Sequence, residues 1–364
     1  MRKKDNVLFF AIMCFIASGY ATETPPTMPY DQGHAISQNQ FPSGYNHQAR
    51  INVDGWNVFI SGSFIYWQAM EGGLELGVFY KDPGEPGQDN FISNILINFQ
   101  YQPGFKVALG TCLGHDNWIL SCEYTWLHFS DTKLVILSDV GDSYYISTSW
   151  TREAEHFYYS QATWKLRYDM IDLEMSRPFY VGTDLVMKPF GALRGGLIKQ
   201  YYNICFAVEA PSSGNSWITN LEEKTWMLGP RAGIDCDWIF FNYFRLIGNA
   251  AMALFYQHFE TIGYNCEFDS DHSVVDPFWN VDTSEWQITP NLEAALGLGW
   301  GSYFGANNRW HFDLSALYEV NYFLNQNKMR QVASTNLLTG AYAPIVPAQD
   351  LMMHGLTITA RFDF

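Results

Sequence analysis

The stretch that decides the fold is residues 354–364, which read His354-Gly355-Leu356-Thr357-Ile358-Thr359-Ala360-Arg361-Phe362-Asp363-Phe364. From Leu356 onward, apolar side chains occupy every second position and polar or charged side chains occupy the positions between them. Successive side chains of an extended chain point to opposite faces, so this alternation predicts one amphipathic β-strand. We expect Phe362 and Phe364 on its apolar face and Arg361 on its polar face.

The composition favours a membrane protein that crosses the bilayer with strands. Charged residues make up 16% of the 364-residue chain and aromatic residues 17%; the first value is low for a soluble domain and the second is high. After the N-terminal segment, no run approaches the roughly 18–20 apolar residues that a membrane helix requires. These features predict an all-β fold, a transmembrane antiparallel β-barrel of the outer-membrane type.

The N-terminus has the three parts of a secretory signal. Basic residues at 2–4 precede an apolar run at 7–17, and small residues at 19 and 21 suit cleavage after Ala21. Without residues 1–21, the 21 basic and 37 acidic residues become 18 and 36, a net charge of −18. Such an acidic chain is not expected to bind nucleic acid. We expect a flexible periplasmic lead-in at 22–53, which is rich in Pro, Gln and Asn, and the barrel at 54–364.

Ten predicted strands are joined alternately by short turns and long loops. They begin at about residue 55 and then span about 93–113, 117–130, 158–175, 183–206, 224–238, 242–259, 285–303, 308–324 and 353–364. The alternation is typical of outer-membrane barrels, which have short periplasmic turns and long extracellular loops. Residues 93–113 are interpreted as one strand, although Pro103-Gly104 must distort its ladder.

Tryptophans near the strand ends suit the aromatic girdles of a membrane barrel. They are Trp56, Trp67, Trp118, Trp126, Trp226, Trp238, Trp286, Trp300 and Trp310. A soluble all-β protein would also alternate, but its outward tryptophans would form apolar patches in water.

If the apolar face of each strand meets lipid, the opposite face lines the lumen. This parity predicts the lumen-lining residues Lys165, Arg167, Asp169, Arg194, Arg231, Asp235, Arg245, Glu293, Asp313, Glu319 and Arg361. Charges of both signs suggest an ion-paired or water-filled interior and no clear ion selectivity. Inward glycines such as Gly110 and Gly233 would widen it slightly. Ten strands lie between the filled eight-stranded barrels and the open porins, so strand number alone does not predict a pore.

Five cysteines remain after residue 21, at positions 112, 122, 205, 236 and 266. Their odd number and wide spacing suggest neither a metal site nor a compact disulfide framework. One hypothesis is that an unpaired thiol cross-links two copies of the chain. The alternative is that these side chains act as small apolar groups.

Residues 103–110, 115–118, 228–233 and 355–364 resemble the major-outer-membrane-protein-like family of Legionella and chlamydia-like bacteria. The resemblance implies an abundant porin-like surface protein of the outer membrane, which passes small hydrophilic solutes or has a structural role. The C-terminal strand also resembles the closing strand of bacterial outer-membrane barrels. That resemblance implies contact with outer-membrane lipid and with the barrel assembly machinery, for which Phe362 and Phe364 would be the signal. The family resemblance carries over no catalytic residue, cofactor or metal, so we do not expect an enzyme.

Two other functions remain alternatives. A surface adhesin would bind a host-cell ligand through its loops, which are rich in aromatic residues (Tyr144, Tyr145, Trp150, Phe278 and Trp279). An omptin-like protease would need Asp and His side chains at the extracellular rim, where Asp269, Asp271 and His272 are predicted to lie. Asp235 and Asp237 are predicted at the opposite end of the barrel, which makes the protease the weaker alternative.

Overall fold

Long antiparallel strands account for almost all of the described chain. The computed structural model describes residues 51, 57–81, 90–113, 116–137, 144–151, 156–208, 216–240, 243–270, 273–305, 309–336, 341–345 and 349–364. The predicted signal peptide and all of the predicted lead-in except residue 51 lie outside these ranges. Within them, no helix is long and apolar enough to cross a membrane.

The strands, in chain order, are β1 (Val58–Glu71), β2 (Gly77–Lys81), β3 (Asn90–Ile95), β4 (Tyr101–Cys112), β5 (Ile119–Ile136), β6 (Tyr144–Ser147), β7 (Tyr159–Ser176), β8 (Phe179–Val181), β9 (Leu185–Ala207), β10 (Ser216–Ile239), β11 (Phe244–Ser270), β12 (Ser273–Phe304), β13 (Trp310–Asn327), β14 (Gln331–Asn336), β15 (Ala341–Ile345) and β16 (Gln349–Asp363). Ten of them close into a barrel in the order β1-β4-β5-β7-β9-β10-β11-β12-β13-β16, with β16 pairing back onto β1. The predicted ten-stranded antiparallel barrel is confirmed.

The barrel closes where the first and last strands pair. Phe59 lies opposite Asp363, and the ladder continues to Glu71 opposite Leu351. Backbone hydrogen bonds join Val58 and Phe364 in both directions, at 2.9 and 3.1 Å. The predicted amphipathic strand is therefore the closing strand of the barrel.

The two ends of the barrel differ. At one end, called the turn end here, the strands of the barrel are joined by four short connections, at residues 113–118, 177–184, 240–243 and 305–309. The opposite end, called the loop end, carries the long connections that follow β1, β5 and β13. The prediction of a long loop between strands 242–259 and 285–303 is wrong, because β11 extends to Ser270 and β12 begins at Ser273. In outer-membrane barrels the short turns face the periplasm and the long loops face outward.

The prediction that 93–113 is one strand is wrong. β3 leaves the barrel and joins β2 and β6 in a separate three-stranded sheet, whereas β4 begins at Tyr101. Ile95 and Ile97 are buried in the apolar cluster inside the barrel. Alternation along a chain shows which residues share a face, but it does not show which neighbour a strand pairs with.

The outer face carries a band of exposed apolar side chains between two levels of tryptophan. On β10, Trp226 and Trp238 mark these levels. They are roughly 40 Å apart along the strand at about 3.3 Å per residue. For the usual tilt of about 40° this is roughly 30 Å along the barrel axis, close to the thickness of a bilayer core.

The predicted girdle tryptophans are mostly placed as expected. Trp126, Trp226, Trp238, Trp286, Trp300 and Trp310 lie on the outer face of their strands. Trp67 does not, because it is 1% exposed and points into the barrel. Trp118 lies at the turn between β4 and β5, where the guanidinium of Arg177 covers its ring. Trp56 lies outside the described residues.

Candidate functional site: the barrel interior

The interior near the turn end is a charged chamber. A cavity of about 340 Å³ lies there. Its charged lining consists of Lys106, Glu123, Asp172, Glu174, Lys188, Arg194, Arg231, Asp235, Asp237, Arg245, Glu293, Asp313, Glu319 and Arg361. Eight of the eleven predicted lumen residues are therefore placed in this chamber.

One carboxylate joins two arginines across the chamber. The Glu293 carboxylate accepts from Arg231 Nη2 at 2.6 Å and also contacts the guanidinium of Arg194. Arg194 Nε is 2.6 Å from an oxygen of Asp172, and Arg231 Nη1 is 3.2 Å from an oxygen of Glu174. Strands β7, β9, β10 and β12 supply these side chains, so the network ties four strands together from the inside.

A second group of ion pairs lies closer to the turns. Arg245 Nη1 is 2.5 Å from Asp313 Oδ2, and Arg245 Nε is 3.5 Å from Asp237 Oδ1. Lys188 Nζ is 3.0 Å from Asp237 Oδ2. These charges neutralise one another in pairs, which agrees with the near balance of signs along the wall.

Arg361, a predicted lumen residue on the closing strand, also lies in the chamber. Its guanidinium is 2.6 Å from Asp363 Oδ1 and lies over the ring of Phe59, 3.6 Å from the centroid. Asp363 Oδ2 is 3.0 Å from His311 Nδ1. Phe362 lies on the outer face, with its ring 5.9 Å from both Trp310 and Phe364.

Three predicted lumen residues lie elsewhere. Lys165, Arg167 and Asp169 are on the outer face of β7, and the neighbouring Trp164 and Leu166 point inward with 0% exposure. The prediction for these three is corrected. The prediction assumed that the apolar face of a strand is always the outer face, whereas in this half of β7 the apolar face fills the barrel.

The structure adds residues that this assumption missed. Asp172, Glu174 and Lys188 line the chamber although they were not predicted to do so. The available signal was the adjacent apolar pair Met170-Ile171, where the apolar side chains of β7 change from the inner to the outer face. The apolar side chains thus move from even-numbered to odd-numbered positions within one unbroken strand. Such a change indicates that the barrel interior is apolar in one half and polar in the other.

A layer of large apolar side chains crosses the lumen between the chamber and the loop end. We call it the core layer: Ile65, Trp67, Leu127, Trp164, Leu166, Tyr168, Met170, Ile198, Phe255, Phe323, Leu351 and Met353, each at most 2% exposed. The ring of Phe323 lies 5.9 Å from that of Phe255 and 6.1 Å from that of Tyr168. Side chains exposed to a water-filled lumen would remain accessible, so this level of the barrel is filled.

Lys106 connects the two halves of the interior. Its ammonium group is 2.7 Å from Glu319 in the chamber and 4.9 Å from the ring centroid of Trp67 in the core layer. The salt bridge neutralises the charge and the cation–π contact shields it from the apolar layer.

Polar side chains form a buried network on the loop-end side of the core layer. Gln200 Nε2 donates to Glu71 and to Glu223, at 3.3 Å in each case, while its oxygen accepts from Trp164 Nε1 at 2.9 Å. Glu223 also accepts from the backbone N–H of Lys328 at 2.8 Å. These bonds hold β1, β7, β9 and β10 together with the segment that follows β13.

Segments from the loop end fold into the barrel mouth. Trp150, just after β6, is fully buried and donates from Nε1 to the carbonyl of Glu75 at 2.6 Å. Its own carbonyl accepts from the hydroxyl of Tyr264 at 2.7 Å. Phe157 is also fully buried and packs against Phe206 at 5.1 Å between centroids. Segments of the same chain therefore cap the barrel on the loop-end side of the core layer.

The inward glycines do not widen the lumen. A side chain at Gly110 would overlap the ring of Phe59, and one at Gly233 would meet the ring of Phe190 and Cβ of Ala251. These glycines admit aromatic rings from neighbouring strands, so the expected widening is not found.

The residues of the protease alternative are far apart or not described. Asp271 and His272 lie outside the described residues. Asp269 lies opposite Ser216 at the loop end, whereas Asp235 is roughly 60 Å away along β10 at about 3.3 Å per residue. Asp235 accepts from the side-chain amide of Asn249 in the chamber.

The loop aromatics and the cysteines were the remaining candidates. Tyr145 and Trp150 are buried, and the side chains of Phe278 and Trp279 lie outside the described ones. No disulfide joins the cysteines at 112, 122, 205, 236 and 266. Among the described residues, no group of three or more His, Cys, Asp or Glu side chains is arranged to hold a metal ion.

The model of one protein family covers the barrel. It is described as Legionella pneumophila major outer membrane protein precursor and matches residues 52–364. No curated protein matches the chain.

Solved outer-membrane barrels are similar at low identity. The outer membrane protease OmpT from Escherichia coli is 9% identical, with a TM-score of 0.44, over 90% of this chain and 99% of that one. A FadL homologue of Pseudomonas aeruginosa is 7% identical, with a TM-score of 0.26, over 84% and 89% of the two chains. These likenesses are too distant to support an argument about function. Because the family model spans most of the sequence, this chain belongs to the family of the Legionella pneumophila major outer membrane protein and is an outer-membrane β-barrel.

Proposed function

We propose that this protein is a structural surface barrel of the outer membrane, closed to solutes in the conformation described, with a cap formed by the segments of its loop end. The observation that carries the proposal is the core layer. Strands from around the whole barrel, including β1, β7, β11 and β16, contribute fully buried side chains to it.

The interior polar groups support a structural role. Ion pairs within the chamber and hydrogen bonds around Gln200 connect strands that are not neighbours in sequence. Buried polar networks favour one arrangement of the elements that they join. The interior therefore acts as the core of the protein, with an apolar layer and a charged layer on either side of Lys106.

Conductance across a planar bilayer tests the proposal. The full-length barrel should give no stable stepwise conductance. The double variant Trp67→Ala and Phe323→Ala removes two large rings from the core layer and should produce steps if that layer is the barrier. The matched control Trp286→Ala and Ile288→Ala truncates two side chains that are 51% and 65% exposed on the outer face, and should remain silent.

Folding must be checked in the same preparation, because truncation of buried rings costs about 3–5 kcal/mol each. Heat-dependent gel mobility reports the folded barrel. Regular stepwise conductance by the unaltered protein would overturn the proposal.

Passive diffusion of small hydrophilic solutes is the second candidate function, and the charged chamber favours it. A cavity of about 340 Å³ with six basic and eight acidic side chains could hold water and small ions. Under this alternative the core layer would have to move aside. The bilayer recording of the unaltered protein distinguishes the two candidates.

A further inference from the structure

Basic side chains form a row across the outer face of four neighbouring strands. Arg167 on β7 lies directly opposite His128 on β5 and Lys199 on β9, and Lys199 lies directly opposite Lys224 on β10. Lys165, one step nearer the loop end on β7, is exposed on the same face. We call Lys165, Arg167, Lys199 and Lys224 the cationic row.

The row lies just beyond the membrane band. Lys224 follows the girdle tryptophan Trp226 on β10 by two residues toward the loop end. His128, which lies opposite Arg167, follows Trp126 on β5 in the same way. Two residues of a tilted strand rise about 5 Å along the barrel axis. The basic groups are therefore at the level of the lipid headgroups on the loop side of the bilayer.

The apolar surface continues directly beneath the row. Ile171 and Leu173 on β7 are 42% and 38% exposed, and Leu193 and Leu197 on β9 are 50% and 43% exposed. A lipid whose headgroup reached the cationic row would lay its acyl chains along these side chains. The same strands thus offer both parts of an amphipathic ligand a matching surface.

Three of the four basic groups of the row are not paired with an acidic side chain of the described residues. Lys224 Nζ is 2.5 Å from Glu222, and His128 Nε2 is 3.5 Å from Asp169. In the described part of the chain, Lys165, Arg167 and Lys199 make no ion pair or side-chain hydrogen bond. Like charges directly opposite each other destabilise a sheet. This cluster is also unusual in a chain of net charge −16.

We propose that the cationic row binds the phosphate groups of the phosphorylated glycolipid in the outer leaflet of the outer membrane. A guanidinium offers paired donors that match phosphate oxygens, and lysine adds compact positive charge. A phosphate between β7 and β9 would relieve the repulsion between Arg167 and Lys199. The proposal concerns the lipid-facing surface and does not depend on whether the lumen conducts.

Binding of purified diphosphoryl lipid A to the full-length protein in mild detergent tests the inference. The variant Lys165→Gln, Arg167→Gln, Lys199→Gln should weaken binding by about a hundredfold, since each basic residue contributes roughly fivefold. The same lipid should raise the unfolding temperature of the unaltered protein but not that of the variant. These side chains lie on the outer surface, and heat-dependent gel mobility will show that the variant folds.

The matched control is Arg309→Gln, which removes an exposed positive charge at the turn end. It should leave lipid A binding unchanged. Dephosphorylated lipid A should bind the unaltered protein about as weakly as it binds the triple variant, and inorganic phosphate alone should not compete at millimolar concentration. Equal lipid A affinity of the triple variant and the unaltered protein would overturn the inference, as would equal affinity for the dephosphorylated lipid. Competition by inorganic phosphate would overturn the assignment to a lipid.

Discussion

Glu293 shows how a single residue can organise the interior. Its side chain is 8% exposed and contacts two guanidinium groups, those of Arg194 and Arg231. Burial of each arginine is tolerated because a carboxylate lies within hydrogen-bonding distance. The sequence placed Glu293 on the inner face of β12, and the structure shows which partners it has there.

Replacement of Glu293 by glutamine should lower the free energy of unfolding by about 3 kcal/mol, because two buried positive charges lose their shared partner. Urea titration of the folded barrel in lipid vesicles would measure the change. Glu222→Gln is the control. Its ion pair with Lys224 is about one-third exposed, so the loss should be under about 1 kcal/mol. A similar effect of the two substitutions would contradict the role of the buried network.

β7 shows how one strand serves two environments. Trp164, Leu166 and Tyr168 fill the core layer, whereas Ile171, Leu173 and Met175 face outward in the membrane band. No bulge separates the two sets, since β7 pairs with β5 and β9 without a register shift. The apolar side chains of β7 change from the inner to the outer face where the strand passes from its part beyond the lipid headgroups into its part within the membrane band.

The closing strand β16 gives a prediction about assembly. Phe364 hydrogen-bonds through its backbone to Val58 at the closure of the barrel. Phe364→Glu should reduce the amount of folded protein in the outer membrane severalfold, because it places a charge at the closing strand pair. Heat-dependent mobility of protein from outer-membrane fractions would measure this.

Phe304→Glu is the matched control, since Phe304 is exposed at the same end of the barrel but on β12. It should reduce assembly much less than Phe364→Glu. Equal losses for the two variants would show that depth in the membrane, and not the position in the closing strand, determines the effect.

At the scale of the whole molecule, the outer face divides into a membrane band and a polar extension toward the loop end. The band lies between the two levels of tryptophan on β10 and β12, and the cationic row begins just beyond it. From the level of the cationic row toward the loop end, the barrel is filled by the core layer and by the buried network around Gln200. The extension therefore has its own apolar interior, as a soluble β-protein would.

The depth of the band can be mapped with a single charge. Met252 on β11 is 62% exposed and lies about midway between the two tryptophan levels, so Met252→Arg should cost about 2–4 kcal/mol of folding free energy in a bilayer. Leu134 is 51% exposed on β5 beyond Trp126, and Leu134→Arg should cost less than about 1 kcal/mol. Unfolding in lipid vesicles would measure both. A larger cost at Leu134 would contradict the proposed position of the membrane.

The sequence by itself determined the class of fold. Alternation in strands such as β12, β13 and β16, with short turns between long loops, predicts a ten-stranded barrel because period 2 follows from the geometry of an extended chain. It also placed Arg231, Glu293 and other charges on the inner face where the outer face is apolar.

Only the tertiary structure decided which face of β7 is inside near the loop end and where residues 90–95 pair. Both depend on packing between residues distant in sequence: Trp67 and Trp164 belong to one apolar cluster inside the barrel, and β3 pairs with β2. Apolar side chains are removed from water equally well by lipid and by the protein interior. Alternation therefore shows that a strand has an apolar face, but it does not show whether that face meets the lipid or the inside of the barrel.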